Sequence, residues 1–423
     1  MTTIFTADRV LGGRELHAIT AGAVLVDGAR IGWVGREADL TVAQRESAEV
    51  HALGAVTVLP GLIDAHVHLG LDGGAAPVER MMGETDTEQI ALMLRSAREL
   101  LSVGVTTARD LGARGYTDIV VRDAIAAGTA RGPRMLTAGA PITVTGGHCW
   151  YMGAEADSEL ELRKIVRRHH KAGVDLIKVM ATGGNLTPGS VPWHAQFTEA
   201  ELAVVVDEAH RLGKRVAAHA HGVEGIRRAV AAGVDTLEHC SFQTSAGLTG
   251  GFDPDLADRI AASPTYVSPT CNCRVLEYRS LLPELYVALP DLYRHGVPIV
   301  GGTDAGIDQV PHYGYVGGLV NMVSLGMPAE EVLMSATVRA AAALGLADET
   351  GQLTPGFTAD IIAVGGDPRR DIGALHDLRF VLARGRRFVP DDLPAIEPLR
   401  ADEMPPLIKE MLAARRASDD SCR

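Results

Sequence analysis

Two histidines one residue apart, His66 and His68, close the run Pro60-Gly61-Leu62-Ile63-Asp64-Ala65-His66-Val67-His68. Residues two apart in a strand face the same side, so both imidazoles can point at one place. Further along stand Lys178, His219, His239 and Asp304, each at the end of a short, largely apolar run. Imidazole and carboxylate suit zinc-like divalent ions, and such ions activate water and polarise carbonyl groups. Lys178 is the odd member, because a buried unpaired ammonium is costly. In a chain with 15 histidines any single one is more often a surface or core residue than a ligand. His169, His170, His194, His210 and His295 are therefore read as structural. Order, spacing and strand-end placement set His66, His68, His219 and His239 apart.

These residues need a scaffold that gathers strand ends. At five places a helical stretch ends in glycine and a short strand-like run follows: Gly104 before Val105–Asp110, Gly173 before Val174–Met180, Gly213 before Arg215–His219, Gly233 before Val234–His239 and Gly296 before Val297–Asp304. Glycine just past a helix tolerates the left-handed conformation that stops it. Thr198-Glu199-Ala200-Glu201 reads as a capping box opening one of the helices. With the His66 strand, Arg134–Gly139 and Thr265–Thr270, about eight strands alternate with helices. The expected fold class is α/β, a (β/α)8 TIM barrel over roughly residues 58–351, with a doubly wound open sheet as the rival. Active sites of such barrels lie at the C-terminal strand ends, where the candidate ligands fall. Residues 1–57 and 352–396 carry short alternating runs with Asp27-Gly28 turn chemistry and predict one small β-sandwich domain built from both ends. Residues 397–423 are expected as a surface helix and frayed tail.

In this order the motifs resemble the amidohydrolase superfamily, and more closely its imidazolonepropionase-like and Xaa-Pro-dipeptidase-like members. The resemblance runs over nearly the whole chain. It rests on Pro60–His68, Ile177–Gly184, Ala218-His219-Ala220-His221, Thr236–His239, Gly302-Thr303-Asp304-Ala305-Gly306 and Leu353–Asp360. It implies two divalent metal ions, expected as zinc, with Lys178 carboxylated by CO2 as a bridge. His66, His68 and Asp304 would hold one ion, and His219 and His239 the other. Ions about 3.5–4 Å apart share a water and depress its pKa towards about 7. Asp304 would take the proton of that hydroxide and pass it to the leaving amine. His148, in Thr145-Gly146-Gly147-His148, resembles the family's carbonyl-polarising histidine. His221 faces the site if His219 does, and this chain departs there from several dipeptidase-like relatives, which have tyrosine.

Trp150, Tyr151 and His312 are further substrate-contact candidates, with plain packing as the competing reading for the first two. Tyr313 shares the loop of His312, and Arg109-Asp110 reads as a structural ion pair. The formal charge of −13 and an aromatic content of 4% argue against a nucleic-acid partner. No apolar run approaches the roughly 18–20 residues that span a bilayer. Five cysteines, odd in number, fit a reducing interior, and the expected location is cytoplasmic. Cys271-x-Cys273 lacks a second pair and is discounted as a metal site. The expected partner is a small molecule, and a homo-oligomer is left open. The expected reaction is hydrolysis of an amide bond, first in a dipeptide or N-acyl amino acid. A cyclic amide, or a carbamate or ester of a specialised metabolite, is the alternative. An inactive binding protein on the same fold is the reading from another class.

Overall fold

The computed structural model describes residues 2–245, 251–283, 285–400, 402–405 and 408–413. Strands β1 (Thr2–Gly12), β2 (His17–Asp27), β3 (Arg30–Arg36) and β4 (Glu49–Pro60) come first. Next β5 (Leu62–Val67), β6 (Val105–Asp110), β7 (Arg134–Thr137), β8 (Leu176–Met180), β9 (Arg215–Gly222), β10 (Thr236–Gln243) and β11 (Tyr266–Ser268) are interleaved with helices. Then come β12 (Ile361–Val364), β13 (Leu378–Ala383) and β14 (Arg386–Phe388).

Strands from both ends of the chain form one sheet in the order β14-β13-β12-β4-β1-β2-β3. The Asp27-Gly28 turn joins β2 to β3, with Gly28 at φ 57°. The far edges of this sheet approach one another: a Cβ on Gly385, in the turn after β13, would collide with the Gly28 carbonyl. Phe5, Val24, Val26, Ile361, Phe380 and Leu382 pack together in its apolar core. The two layers expected from the sequence are thus strands of one continuously bonded sheet.

The middle of the chain is α/β with parallel sheets, β5-β6-β7 and β8-β9-β10-β11. Every residue of β5, β6 and β8 is buried, as expected of parallel strands covered on both faces. Backbone bonds continue from one sheet to the other. Ile142 N–H donates to the Lys178 carbonyl (2.8 Å) and Met180 N–H to that of Ile142 (2.8 Å). On the other side Val267 N–H donates to Pro298 (3.0 Å), Ala65 N–H to Gly301 (3.0 Å) and His68 N–H to Ala305 (2.8 Å). The expected eighth strand, Val297–Asp304, therefore bonds to neighbours on both sides without forming a continuous ladder. Pro298 has no N–H to give, and Gly301-Gly302 has little strand preference.

Helices start and stop as the residues dictate. Thr198 and Glu201 form the expected capping box of Glu199–Arg211, and Thr85 with Glu88 forms another at Asp86–Ser102. Gly173 and Gly233 end their helices at φ 92° and 81°. The described part of the C-terminal segment packs back on the chain and includes helical residues 408–413. Arg274 donates to the Glu397 carbonyl (2.7 Å), Glu277 accepts from Leu399 N–H, and Met404 and Ile408 bury against Leu282. The expectation for the last ten positions, 414–423, lies outside the described residues, as does Cys422.

Candidate metal centre and active site

His66, His68, His148, Lys178, His219, His221, His239 and Asp304 line one cleft of about 200 Å³. They arrive from β5, the loop after β7, β8, β9, β10 and the segment after Pro298. Two groups converge inside it. Ligand atoms of His66, His68 and Asp304 lie within 4.8 Å of one another, and so do those of His219, His221 and His239. His221, expected to face substrate, thus stands among the second group, its ring stacked on His239 at 4.4 Å. The groups adjoin: the His66 and His239 rings are 5.2 Å apart, and an Asp304 oxygen is 3.9 Å from His239 Nδ1.

The partners of each ring decide which nitrogen is free. His66 Nδ1 donates to Glu238 Oε2 (2.9 Å), which leaves the Nε2 lone pair 3.4 Å from His68 Nε2 and 3.2 Å from Asp304 Oδ1. His219 Nε2 donates to the Gly183 carbonyl (2.9 Å), leaving Nδ1 as its acceptor. His221 Nδ1 and His239 Nδ1 lie against the hydroxyls of Ser241 (2.8 Å) and Thr270 (3.0 Å). Lone pairs and a carboxylate that converge in a buried cleft repel unless a cation lies between them. The donor set fits divalent ions.

Burial holds His148 at about 3 and His221 at about 4, and it pushes His219 and His239 well below the usual histidine range, with neighbouring imidazoles adding to the effect on His219 and His239. All four are neutral at pH 7, the form that binds metal. Burial alone would raise the Asp304 carboxyl, but His66, His68 and His239 outweigh it and hold it well below the carboxylate range. Lys178 is buried and makes no ion pair or hydrogen bond with any described residue. Burial lowers its amine to about 8, against the pull of Glu238 and Asp304. Strained backbone accompanies these groups: His239, Thr270 and Asp304 have φ of 68°, 49° and 60°, values uncommon outside glycine.

Beneath the first group lies a polar network that the sequence did not announce. Glu238 is fully buried. Its Oε1 accepts from Arg109 (2.8 Å) and Thr236 (2.6 Å), while Arg109 also donates to the Ala65 carbonyl (2.7 Å). Burial raises this carboxyl, but Arg109 and His66 overcome that and hold it at about 2. The expected Arg109–Asp110 pair is corrected here. Adjacent strand residues face opposite sides, so Arg109 meets Glu238 while Asp110 accepts from the N–H groups of Leu69 and Gly112. Asp64, also missed, accepts from Thr303 Oγ1 (2.6 Å) and His66 N–H (3.1 Å), tying the Asp304 segment to the His66 strand. Both were legible only as charged residues inside apolar runs.

Three expected substrate contacts lie elsewhere. Cys149 adopts φ 57°, and the turn it makes leaves Trp150 43% exposed, away from the cleft. Tyr151 turns its hydroxyl onto Cys149 Sγ (3.5 Å). His312 is fully buried behind His68 and donates to its carbonyl (3.1 Å), so it braces the strand end. Cys149 itself, Met180, Asn185, Leu186, Thr270, Asn272 and Ile307 complete the cleft. The discounted Cys271 and Cys273 are free thiols outside any metal-type group among the described residues. No helix among those residues is long and apolar enough to cross a membrane.

Fold and site together define an enzyme that acts on amide carbon–nitrogen bonds of small molecules. The chain belongs to the amidohydrolase family, whose sequence pattern matches residues 57–388. It is 30% identical over 421 residues to ochratoxinase of Aspergillus niger, covering 90% of this chain and 84% of that protein. It is 27% identical over 399 residues to imidazolonepropionase of Paracoccus denitrificans, covering 85% and 90%. A solved Xaa-Pro dipeptidase with methionine bound in its active site superposes with a TM-score of 0.81 at 30% identity, covering 92% of this chain and all of that one.

Proposed function

We propose that the chain is a binuclear metal-dependent hydrolase that cleaves an amide bond in a dipeptide or N-acyl amino acid. One observation carries this: two groups of three ligand-type side chains adjoin in a single buried cleft, with Lys178 beside them. The scaffold in this reading is a (β/α)8 barrel over about residues 58–351. Residues 1–57 and 352–396 make the small β domain, and 397–423 form the tail. The backbone bonds on both sides of the 298–305 segment support closure of the barrel.

His66, His68 and Asp304 would hold one ion, and His219 and His239, flanked by His221, the other. Lys178 would join them as its carbamate, since its lowered pKa supplies the free amine that adds to CO2. Two such ions, zinc in the first instance, supply an acidified water and polarise the carbonyl to be attacked. Asp304 is ionised at neutral pH, so it can accept the proton of the attacking water and deliver it to the leaving nitrogen. His148 has a buried Nδ1 with no partner among the described residues, and its neutral ring lines the cleft. It is assigned to the substrate carbonyl oxygen, where charge develops.

A cyclic amide is the second reading, favoured by the imidazolonepropionase relative. Metal analysis with turnover assays on dipeptides, N-acyl amino acids, a lactam, a carbamate and an ester tests both. The expected result is about two ions per chain and turnover of the open-chain amides. Lactam turnover alone favours the second reading. Metal-loaded protein inert on every amide, ester and lactam overturns both in favour of a binding protein.

A further inference from the structure

A second cavity of about 240 Å³ opens beside the metal cleft. Asn185, His221, His239 and Thr270 line both spaces, so a molecule bound in one is continuous with the other. Apart from Ser241 and Gln243, which bond to each other beside His221, its remaining walls are of another kind. Val275 and Tyr278 come from the helix Val275–Leu281, Leu285, Val287 and Leu289 from the stretch after it, and Ile408 from the C-terminal segment. No Asp, Glu, Lys or Arg among the described residues lines this cavity. A charged group placed there would lose its water and gain no opposite charge from the described lining residues. One polar group is left over: the Tyr278 hydroxyl is buried without a hydrogen-bond partner among the described residues, whereas that of Tyr286 already donates to Asp291. Ile408 is 6% exposed and held by Leu282 and Met404, so the wall it makes is packed in place.

We propose that this cavity receives an uncharged apolar side group of the substrate, of benzyl or isobutyl size, while the scissile amide lies over the metal cleft. Ile408 fixes the depth of the space, which makes the C-terminal segment a specificity element of the active site. The Tyr278 hydroxyl favours a group that carries one hydrogen-bonding atom, as a phenol does. This inference rests on the amide-hydrolase reading above and names the substrate class for it. One methylene more or less in an apolar pocket changes discrimination by about tenfold or more, so side-chain size should be read strongly.

Two measurements on the metal-loaded, full-length enzyme test it. The first is kcat/KM for Gly-Phe, Gly-Leu, Gly-Ala, Gly-Asp and Gly-Lys and for the reversed dipeptides. The second is calorimetric binding of N-benzylacetamide, an uncharged aromatic amide. Ile408→Trp fills the cavity from the tail, and Val275→Trp fills it from the opposite element should the first variant fold poorly. In one of the two series Phe and Leu are expected to exceed Ala, Asp and Lys by about tenfold or more. The filled variants should lose that preference and bind N-benzylacetamide about tenfold more weakly. Dipeptide turnover without apolar preference overturns the cavity assignment and leaves the hydrolase reading standing. N-benzylacetamide that fails to bind the wild type, or binds both folded variants equally well, overturns it too. An enzyme inert on all the dipeptides that still loses the probe in the filled variants keeps the cavity assignment and removes dipeptides from the proposed substrates.

Discussion

Replacing Glu238 by glutamine should weaken metal binding from a position that touches no metal. The change keeps the shape of the side chain and removes its charge. Arg109, only 2% exposed, then keeps the Ala65 carbonyl and the Thr236 hydroxyl but loses its carboxylate. Removing one partner of a buried ion pair costs about 3–5 kcal/mol, and the two surviving bonds put this case near about 3 kcal/mol. His66 loses more than a neighbour. An amide N–H facing Nδ1 would move the ring proton to Nε2, the atom that stands 3.2 Å from Asp304. Loss of such a supporting carboxylate typically costs about 10–100-fold in metal affinity, or about 1.4–2.7 kcal/mol. Chelator competition would measure the affinity, and denaturant unfolding of the metal-free protein would measure the stability. The double variant Arg109→Met with Glu238→Leu separates the two effects. Apolar replacement of a buried pair should restore most of the stability, while His66 Nδ1 still lacks its acceptor and affinity stays low. Wild-type metal affinity in Glu238→Gln, with His66 unmoved, would refute this reasoning.

Asp304→Asn should keep the second metal group intact and lower kcat by about 10²-fold or more; near-normal turnover would end its proton-transfer role. Gly184→Ala would drive a Cβ into the His148 ring, so kcat should fall about 10²–10³-fold with the melting temperature little changed; unchanged kcat would take His148 out of the reaction. Chelation should abolish turnover and lower the melting temperature, with zinc restoring both, whereas activity surviving complete metal removal would contradict the site. His169 is held between the Tyr116 hydroxyl (2.8 Å) and the Ala140 carbonyl (2.9 Å), and burial lowers it to about 4. The unfolded chain therefore takes this proton first as pH falls, and stability present above about 6.5 is lost towards about 4. Between pH 7 and 5 that amounts to about 2 kcal/mol, and unfolding curves of His169→Gln should show a correspondingly flatter pH dependence.

Much of the site could be read from the sequence because its chemistry sits on regular strands. His66 and His68 obey the two-residue alternation, and His219 and His221 do the same on β9. The glycines that stop the helices marked where strands begin, so the order of the candidate ligand residues already implied their neighbourhood. Alternation fails where the backbone turns left-handed. His239 at φ 68° lets both it and Glu238 serve the site, and an ideal strand would have sent them apart. Cys149 at φ 57° likewise carries Trp150 and Tyr151 away from the cleft that follows His148. Arg109 and Ile408 were hidden for another reason, since their partners lie 129 positions away in the case of Glu238 and far up the chain in the case of Leu282. Pairings at that separation leave no local pattern to read.

A crystal structure of the zinc-loaded protein, with anomalous scattering recorded at the metal edge, tests the central claim most directly. The account predicts two peaks, one bound by His66, His68 and Asp304 and one by His219 and His239, with a carbamate on Lys178 between them. A single peak, or an unmodified Lys178 remote from any metal, would contradict it.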